Sequence, residues 1–324
     1  MTALHQAAVS GRSDMAAELL EQGAAVDARN AAGATPLLFA LAKRDAVLTH
    51  ILLKQGADAS IREQRNDMTA LMLAVEQEDA ASLRMLLQHG AEVNAVNADD
   101  TTALMLAAAK ADGMLARLLL DHGAKVNLRN SNGMTALMYA VVAGHNDTAR
   151  LLLQRGADIH TVNTDGITVL MMAINKADLE LINDLLLEQV DINAQDRRGF
   201  TALAGAVFGG RLAVVEVLLN AAANADLPDQ RGRSALMWAA MQGRIDILKI
   251  PLVHGVNVNA VDVNARTALM YAARRYDIQA VRMLLAAGAD RNAQDRTGLS
   301  VRDQNAGNNR EQLLGMLDNI SSLP

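Results

Sequence analysis

The chain has 324 residues, 51% hydrophobic and 20% charged, with 36 acidic against 30 basic side chains and no cysteine. Disulfides, thiolate catalysis and thiolate-held zinc or iron–sulfur centres are therefore excluded. The formal charge of -6 argues against bulk electrostatic binding of nucleic acid, and no apolar run reaches the roughly 18 residues that span a bilayer. Aromatic residues are scarce, with Phe 3, Tyr 3 and Trp 1 beside Met 16. A core must be built from Ala, Leu, Val and Met, without the rings that usually supply much of it.

A tetrad with a trailing alanine recurs along the chain. It starts at Thr2 (TALHQA), Thr35 (TPLLFA), Thr69 (TALMLA), Thr102 (TALMLA), Thr135, Thr168, Thr201, Ser234 and Thr267, with a degenerate tenth copy at Ser300. The interval is 33 residues, except for 34 between Thr35 and Thr69. Gly23, Gly56, Gly90, Gly123, Gly156, Gly255 and Gly288 each follow their Thr or Ser by 21 residues, which puts the extra residue between Gly56 and Thr69. A fixed period of this length marks a repeat array.

Each copy predicts a helix, a turn, a second helix and a loop. Thr or Ser serves as N-cap, and Ala or Pro36 suits the first helical position. In the fifth copy the first helix covers Ala136 to Val142 and stops at Gly144. The second carries Leu151, Leu152 and Leu153 and ends at Gly156, a left-handed C-cap position. Ala157 to Gly166 is polar and turn-rich, as a hairpin-like extension would be. One unit cannot bury its apolar face alone, whereas stacked units can, and such thin layers have little room for rings.

The predicted fold is thus an all-α solenoid of about ten stacked units. Length alone suggests two domains; the period predicts one array. Residues 1–30 form an N-terminal partial unit, 31–294 eight repeats, and 295–324 a C-terminal cap with a final helix over 310–320. The chain starts at the Thr2 cap without the preceding loop, which is compatible with a removed upstream segment. Zero cysteine fits cytoplasmic and exported proteins alike. Copies six to eight are expected to be the least regular. Gln189 and Ala222 stand where other copies have the C-cap glycine, at about 1 kcal/mol for a left-handed Ala. Pro251 falls inside a second helix, at about 3 kcal/mol.

The period, the T-x-L-x-x-A helix start and the tails Gly90-Ala91-Glu92-Val93-Asn94-Ala95 and Gly288-Ala289-Asp290-Arg291-Asn292-Ala293 resemble the ankyrin repeat over nearly the whole chain. The TALM wording resembles prokaryotic members. The resemblance implies paired antiparallel helices, projecting loops, and a concave face on which members bind other proteins. The usual Pro and His of its T-P-L-H start persist only as Pro36 and His5. Met fills the His slot at Met72, Met105, Met138, Met171, Met237 and Met270, which reads as packing ahead of a thioether metal ladder.

Catalysis needs polar groups that converge. His5, His89, His122, His145, His160 and His254 each hold a repeat-phased position, and His50 lies mid-helix, so neither a triad nor a three-histidine metal site is expected. Asp196, Asp229, Asp262 and Asp295 share one phase, five residues before the Thr or Ser, and read as turn-stabilising. Gly205 to Gly210 is helix-phased and no phosphate loop. The chain reads as a non-enzyme with no cofactor and no metal site.

The remaining signal lies at the positions that the resemblance places along the groove: 4, 3 and 1 residues before each Thr or Ser, and 7 and 8 after it. In copies one to six these hold Lys43, Arg65, Lys110 and Lys176 against Glu76, Asp99 and Asp165. In copies seven to ten they hold Arg197, Arg198, Arg231, Arg233, Arg266, Arg274, Arg275 and Arg296 and no acid. An apolar strip of Met134, Ile167, Phe200, Phe208 and Met241 adjoins them. These thirteen residues are the predicted partner-binding set. The expected partner is a protein presenting an acidic or phosphorylated segment, since Arg binds both anions bidentately. The alternative is an anionic ligand or nucleic acid on the same arginines, which the net charge and the few aromatics disfavour. A monomer without a membrane span is expected.

Overall fold

The computed structural model describes residues 1–63, 66–111, 113–176 and 178–303, with Gly315 and Leu317. Gly315 and Leu317 are helical, and the rest of the expected final helix over 310–320 and the groove residue Arg65 lie outside the described residues. The chain divides into two compact units, Met1–Thr164 and Asp165–Pro324.

The first unit holds five helix pairs: α1 (Ala3–Ser10) with α2 (Ser13–Glu21), α3 (Pro36–Ala42) with α4 (Ala46–Lys54), α5 (Ala70–Glu76) with α6 (Ala80–Gln88), α7 (Ala103–Ala108) with α8 (Gly113–Asp121), and α9 (Ala136–Ala143) with α10 (Asn146–Gln154). The second holds four: α11 (Val169–Lys176) with α12 (Leu179–Leu187), α13 (Ala202–Gly209) with α14 (Leu212–Asn220), α15 (Ala235–Gln242) with α16 (Ile245–Val253), and α17 (Ala268–Arg274) with α18 (Ile278–Ala286). Among the described residues, β structure is limited to isolated bridges such as Val96 with Thr102.

The predicted caps explain where the helices begin. Thr69, Thr102, Thr135, Thr168, Thr201, Ser234 and Thr267 each accept, on the side-chain oxygen, the backbone N–H three residues on. That satisfies one of the amides a helix start leaves unpaired. Within each unit first helices pack on first helices and second on second. A first helix is covered by neighbours and is apolar over most of its surface: α9 buries Ala136, Leu137, Met138, Ala140 and Val141. A second helix is amphipathic, as in α10, where Thr148, Ala149, Leu151 and Leu152 face inward. Met72, Met105, Met138, Met237 and Met270 are almost wholly buried, so they pack as expected. Met171 is only half-buried, and Ala204 takes the equivalent place one copy later.

Copies six to eight keep their element lengths. Gln189 and Ala222 adopt the left-handed conformation at φ 58 and 63, so the C-cap survives its lost glycines. Helix α16 continues through Pro251 and has nine residues, as do α10, α12 and α14. The expected irregularity therefore does not appear in helix length.

The loop tips are tied by backbone hydrogen bonds with a step of one repeat. In the first unit Ser131 N–H donates to the Asp99 carbonyl and Thr164 N–H to that of Asn132, both at 3.0 Å. In the second unit Arg197 donates to Asp165 at 2.8 Å. Gln230 donates to Arg198, Val263 to Arg231 and Arg296 to Asn264, each at 2.9 Å. The tips approach closely enough to restrict side chains: a Cβ on Gly232 (φ 76) would lie 2.9 Å from the Val263 amide nitrogen.

Candidate functional site

In the second unit each loop is wound around one of the phased aspartates. Asp196 Oδ1 accepts the N–H groups of Arg198 and Phe200, both at 2.8 Å. Asp229 does the same for Arg231 and Arg233, at 2.8 and 2.9 Å. Asp262 holds Asn264 and Arg266, both at 2.8 Å, and Asp295 holds Thr297 and Leu299, at 2.9 and 3.2 Å. All four are buried, and a buried carboxylate requires a counter-charge or further donors. Arg198 meets Asp196 at 3.1 Å, Arg233 meets Asp229 at 2.7 Å, and Arg266 lies 3.8 Å from Asp295. Tyr271 Oη donates to Asp262 Oδ2 at 2.5 Å.

These contacts shift two proton equilibria. The Thr297 hydroxyl foremost, then the Thr297 and Leu299 amides and the Arg266 charge, hold the Asp295 carboxyl below its ordinary 3.8 against the opposing effect of burial. Burial, followed by the hydrogen bond and charge of Asp262, pushes the Tyr271 phenol above 10.0.

The structure thereby divides the predicted arginines. Arg198, Arg233 and Arg266 face the aspartate row as counter-charges. Arg197, Arg231, Arg274, Arg275 and Arg296 are exposed and form no ion pair among the described residues.

Helices α11, α13 and α15 and the loops before them line a cleft of about 640 Å³. It gathers Ile167, Arg198, Phe200, Phe208, Arg231 and Arg233 of the predicted set, with Met171, Gly205 and Trp238, which sequence reasoning did not assign to the site. Phe200, Phe208 and Trp238 meet edge to face, with centroids 6.4, 5.3 and 5.2 Å apart. Arg233 Cζ lies 4.0 Å above the Trp238 ring, and Arg198 Cζ 5.4 Å from that of Phe200. In a chain with Phe 3, Tyr 3 and Trp 1, nearly half the rings meet here.

A second cleft of about 390 Å³ shares Arg231 and Arg233 and adds Met241, Arg266, Tyr271, Arg274 and Arg275. Arg197 and Arg296 line neither cleft. Met134 belongs to the first unit, where it is half-buried and its amide is held by Asn130 at 2.9 Å.

Trp238 had a sequence signal that the groove positions did not include. Four residues after the Thr or Ser of copies two to nine the chain carries Phe39, Leu73, Leu106, Tyr139, Met172, Gly205, Trp238 and Tyr271. Read as one column, this places the tryptophan beside a gap.

Among the described residues no group of three His, Asp or Glu could hold a metal ion, and no helix is long and apolar enough to cross a membrane. A family model described as ankyrin repeats (three copies) matches residues 4–97, 71–163, 156–229 and 206–295. Among solved structures, the ankyrin repeat domain of Bcl-3, described as a unique member of the IkappaB protein family, is similar at 30% identity and a TM-score of 0.59. That match covers 68% of this chain and 98% of that chain. A search of curated proteins found no match. The chain belongs to the ankyrin repeat family. Its fold is the all-α ankyrin-repeat solenoid that the period predicts. The family is a general protein-interaction module, typically non-catalytic.

Proposed function

We propose that the protein is a non-enzymatic adaptor, inhibitor or scaffold that binds an acidic or phosphorylated segment of a protein partner. The site is the groove face of its C-terminal half. One observation carries this reading: Arg197, Arg231, Arg274, Arg275 and Arg296 stand exposed along that half and form no ion pair among the described residues, in a chain whose formal charge is -6. An exposed guanidinium can bind carboxylate or phosphate bidentately and steer an anionic partner inward. The aromatic cleft beside it supplies the apolar anchor that strong interfaces need.

Binding of a polyglutamate peptide, a phosphoserine peptide and a single-stranded oligonucleotide, each across a salt series, tests this. Wild type should bind a peptide, and Arg231→Glu/Arg274→Glu/Arg275→Glu should lose that binding while keeping its helical circular dichroism. Undiminished peptide binding by the triple variant sinks the groove reading. Tighter binding of the oligonucleotide than of either peptide would replace the protein partner with a nucleic acid.

A further inference from the structure

We propose that the cleft around Gly205 receives one apolar side chain of the partner segment, and that Arg231, Arg274 and Arg275 hold a run of acidic residues lying about three to six positions away. The proposal rests on the interaction-module reading and adds to it an anchor and a spacing.

Gly205 is the anomaly that starts the argument. It sits in the interior of α13 (Ala202–Gly209), where glycine destabilises a helix relative to alanine. Its φ lies outside the left-handed region, so backbone conformation does not require glycine. A Cβ built on it would meet nothing within 4 Å, so close approach does not require it either. Its column is otherwise filled by large side chains from Phe39 to Tyr271. Gly205 lines the cleft together with Phe200, Phe208 and Trp238, and its missing side chain leaves open space there.

Two neighbours bear related costs. Met171 is half-buried while its five column partners are almost wholly buried. Trp238 is 8% exposed, and its Nε1 is shielded and finds no acceptor among the described residues. Departures from local optimum that cluster at one place mark a functional site better than a structural one. Arg198 and Arg233 are already balanced by Asp196 and Asp229, and Arg231 stands on the side shared with the second cleft, so the ring-lined part favours an uncharged occupant.

The second cleft favours the opposite. Arg274 and Arg275, at the end of α17, are exposed and form no ion pair among the described residues, while Asp262 is already engaged by two amides and the Tyr271 hydroxyl. The exposed arginines are spread over successive copies from Arg197 to Arg296, which suits several carboxylates better than a single phosphoryl group. Packed helices lie about 8–10 Å apart, and an extended peptide advances about 3.3 Å per residue. One repeat thus corresponds to about three residues of the partner, so Arg231, one copy on, lies about three residues from Gly205 and Arg274 and Arg275, two copies on, about six.

The test uses the full chain and synthetic Gly/Ser peptides carrying one Leu and one Glu-Glu pair, separated by one to six residues in either order. A Leu-free peptide and one with phosphoserine replacing the Glu pair complete the set. Trp238 is the chain's single tryptophan, so its emission reports filling of the cleft. Affinity should peak at a separation of about three to six residues, with a shift in Trp238 emission. Removing Leu should weaken binding about tenfold.

Gly205→Met should plug the cleft and lower affinity by about as much, and Gly205→Ala should raise the unfolding midpoint. Equal affinity at every separation, undiminished binding by Gly205→Met, or binding without a change in Trp238 emission overturns the anchor while leaving the arginine reading standing. Tightest binding of the phosphoserine peptide overturns the acidic run. No binding of any peptide at about millimolar concentration overturns both readings.

Discussion

The two units wind their loops around different chemistry. In Met1–Thr164 the clamps are neutral: Oδ1 of Asn30, Asn97 and Asn130 accepts the amides two and four residues on, at 2.9–3.1 Å. In Asp165–Pro324 four aspartates do the same at 2.8–3.2 Å. The backbone pattern is the same and the proton is not. Asn130 Nδ2 donates to the Tyr139 hydroxyl at 3.0 Å, whereas the Tyr271 hydroxyl donates to Asp262 at 2.5 Å. Exchanging amide for carboxylate keeps the turn and creates a buried charge that must be balanced. Part of the arginine content of the second unit is therefore structural, and only the remainder is available to a partner.

The largest expected effect that tests this contrast is that of Asp229→Ala. It strips the acceptor from two amides and leaves Arg233, only 14% exposed in its side chain, without its carboxylate. A loss of about 3–5 kcal/mol should follow, read from the midpoint of urea unfolding. Asn130→Ala removes only the neutral clamp and should cost about 2 kcal/mol; equal losses for the two alanine variants would break the comparison. Asp229→Asn keeps the amide clamp in the form Asn130 uses and loses only the ion pair. About 1.5 kcal/mol is expected, and a larger loss would mean that the charge itself shapes the turn.

The smallest effect is a pH dependence at Asp295. Its folded pKa lies below 3.8, so its contribution is complete above that value and disappears as pH falls through the folded value. Wild type and Asp295→Asn should therefore differ above pH 3.8 and converge on acidification. Curves that stay parallel would remove the carboxylate from the account.

The helices, their caps and the phase of the arginines were legible in the sequence, because a period of 33 residues repeats each local signal until it cannot be missed. Asp196 to Asp295 were legible as turn formers for the same reason. Their consequence was less visible. Which arginines they capture depends on side-chain reach across a loop, and Arg198, Arg233 and Arg266 look no different in sequence from Arg197 or Arg231. The aromatic cleft escaped for another reason. Phe200 precedes α13 and Phe208 lies in its last turn while Trp238 arrives from the next copy, and a glycine that does nothing locally gives its signal only against Tyr139, Met172 and Tyr271 in the other copies.

The ties between loop tips have a consequence for how such a surface changes. They run through the amides of Arg197, Gln230, Val263 and Arg296 and the carbonyls of Arg198, Arg231 and Asn264. These residues occupy the outermost positions of the groove, and their main chain carries the tie whatever side chain they bear. Rigidity and identity are thus assigned to separate atoms of the same residues. The tips behave as interchangeable letters on a fixed frame, so selection can rewrite what the surface recognises without first having to rebuild what holds it in place.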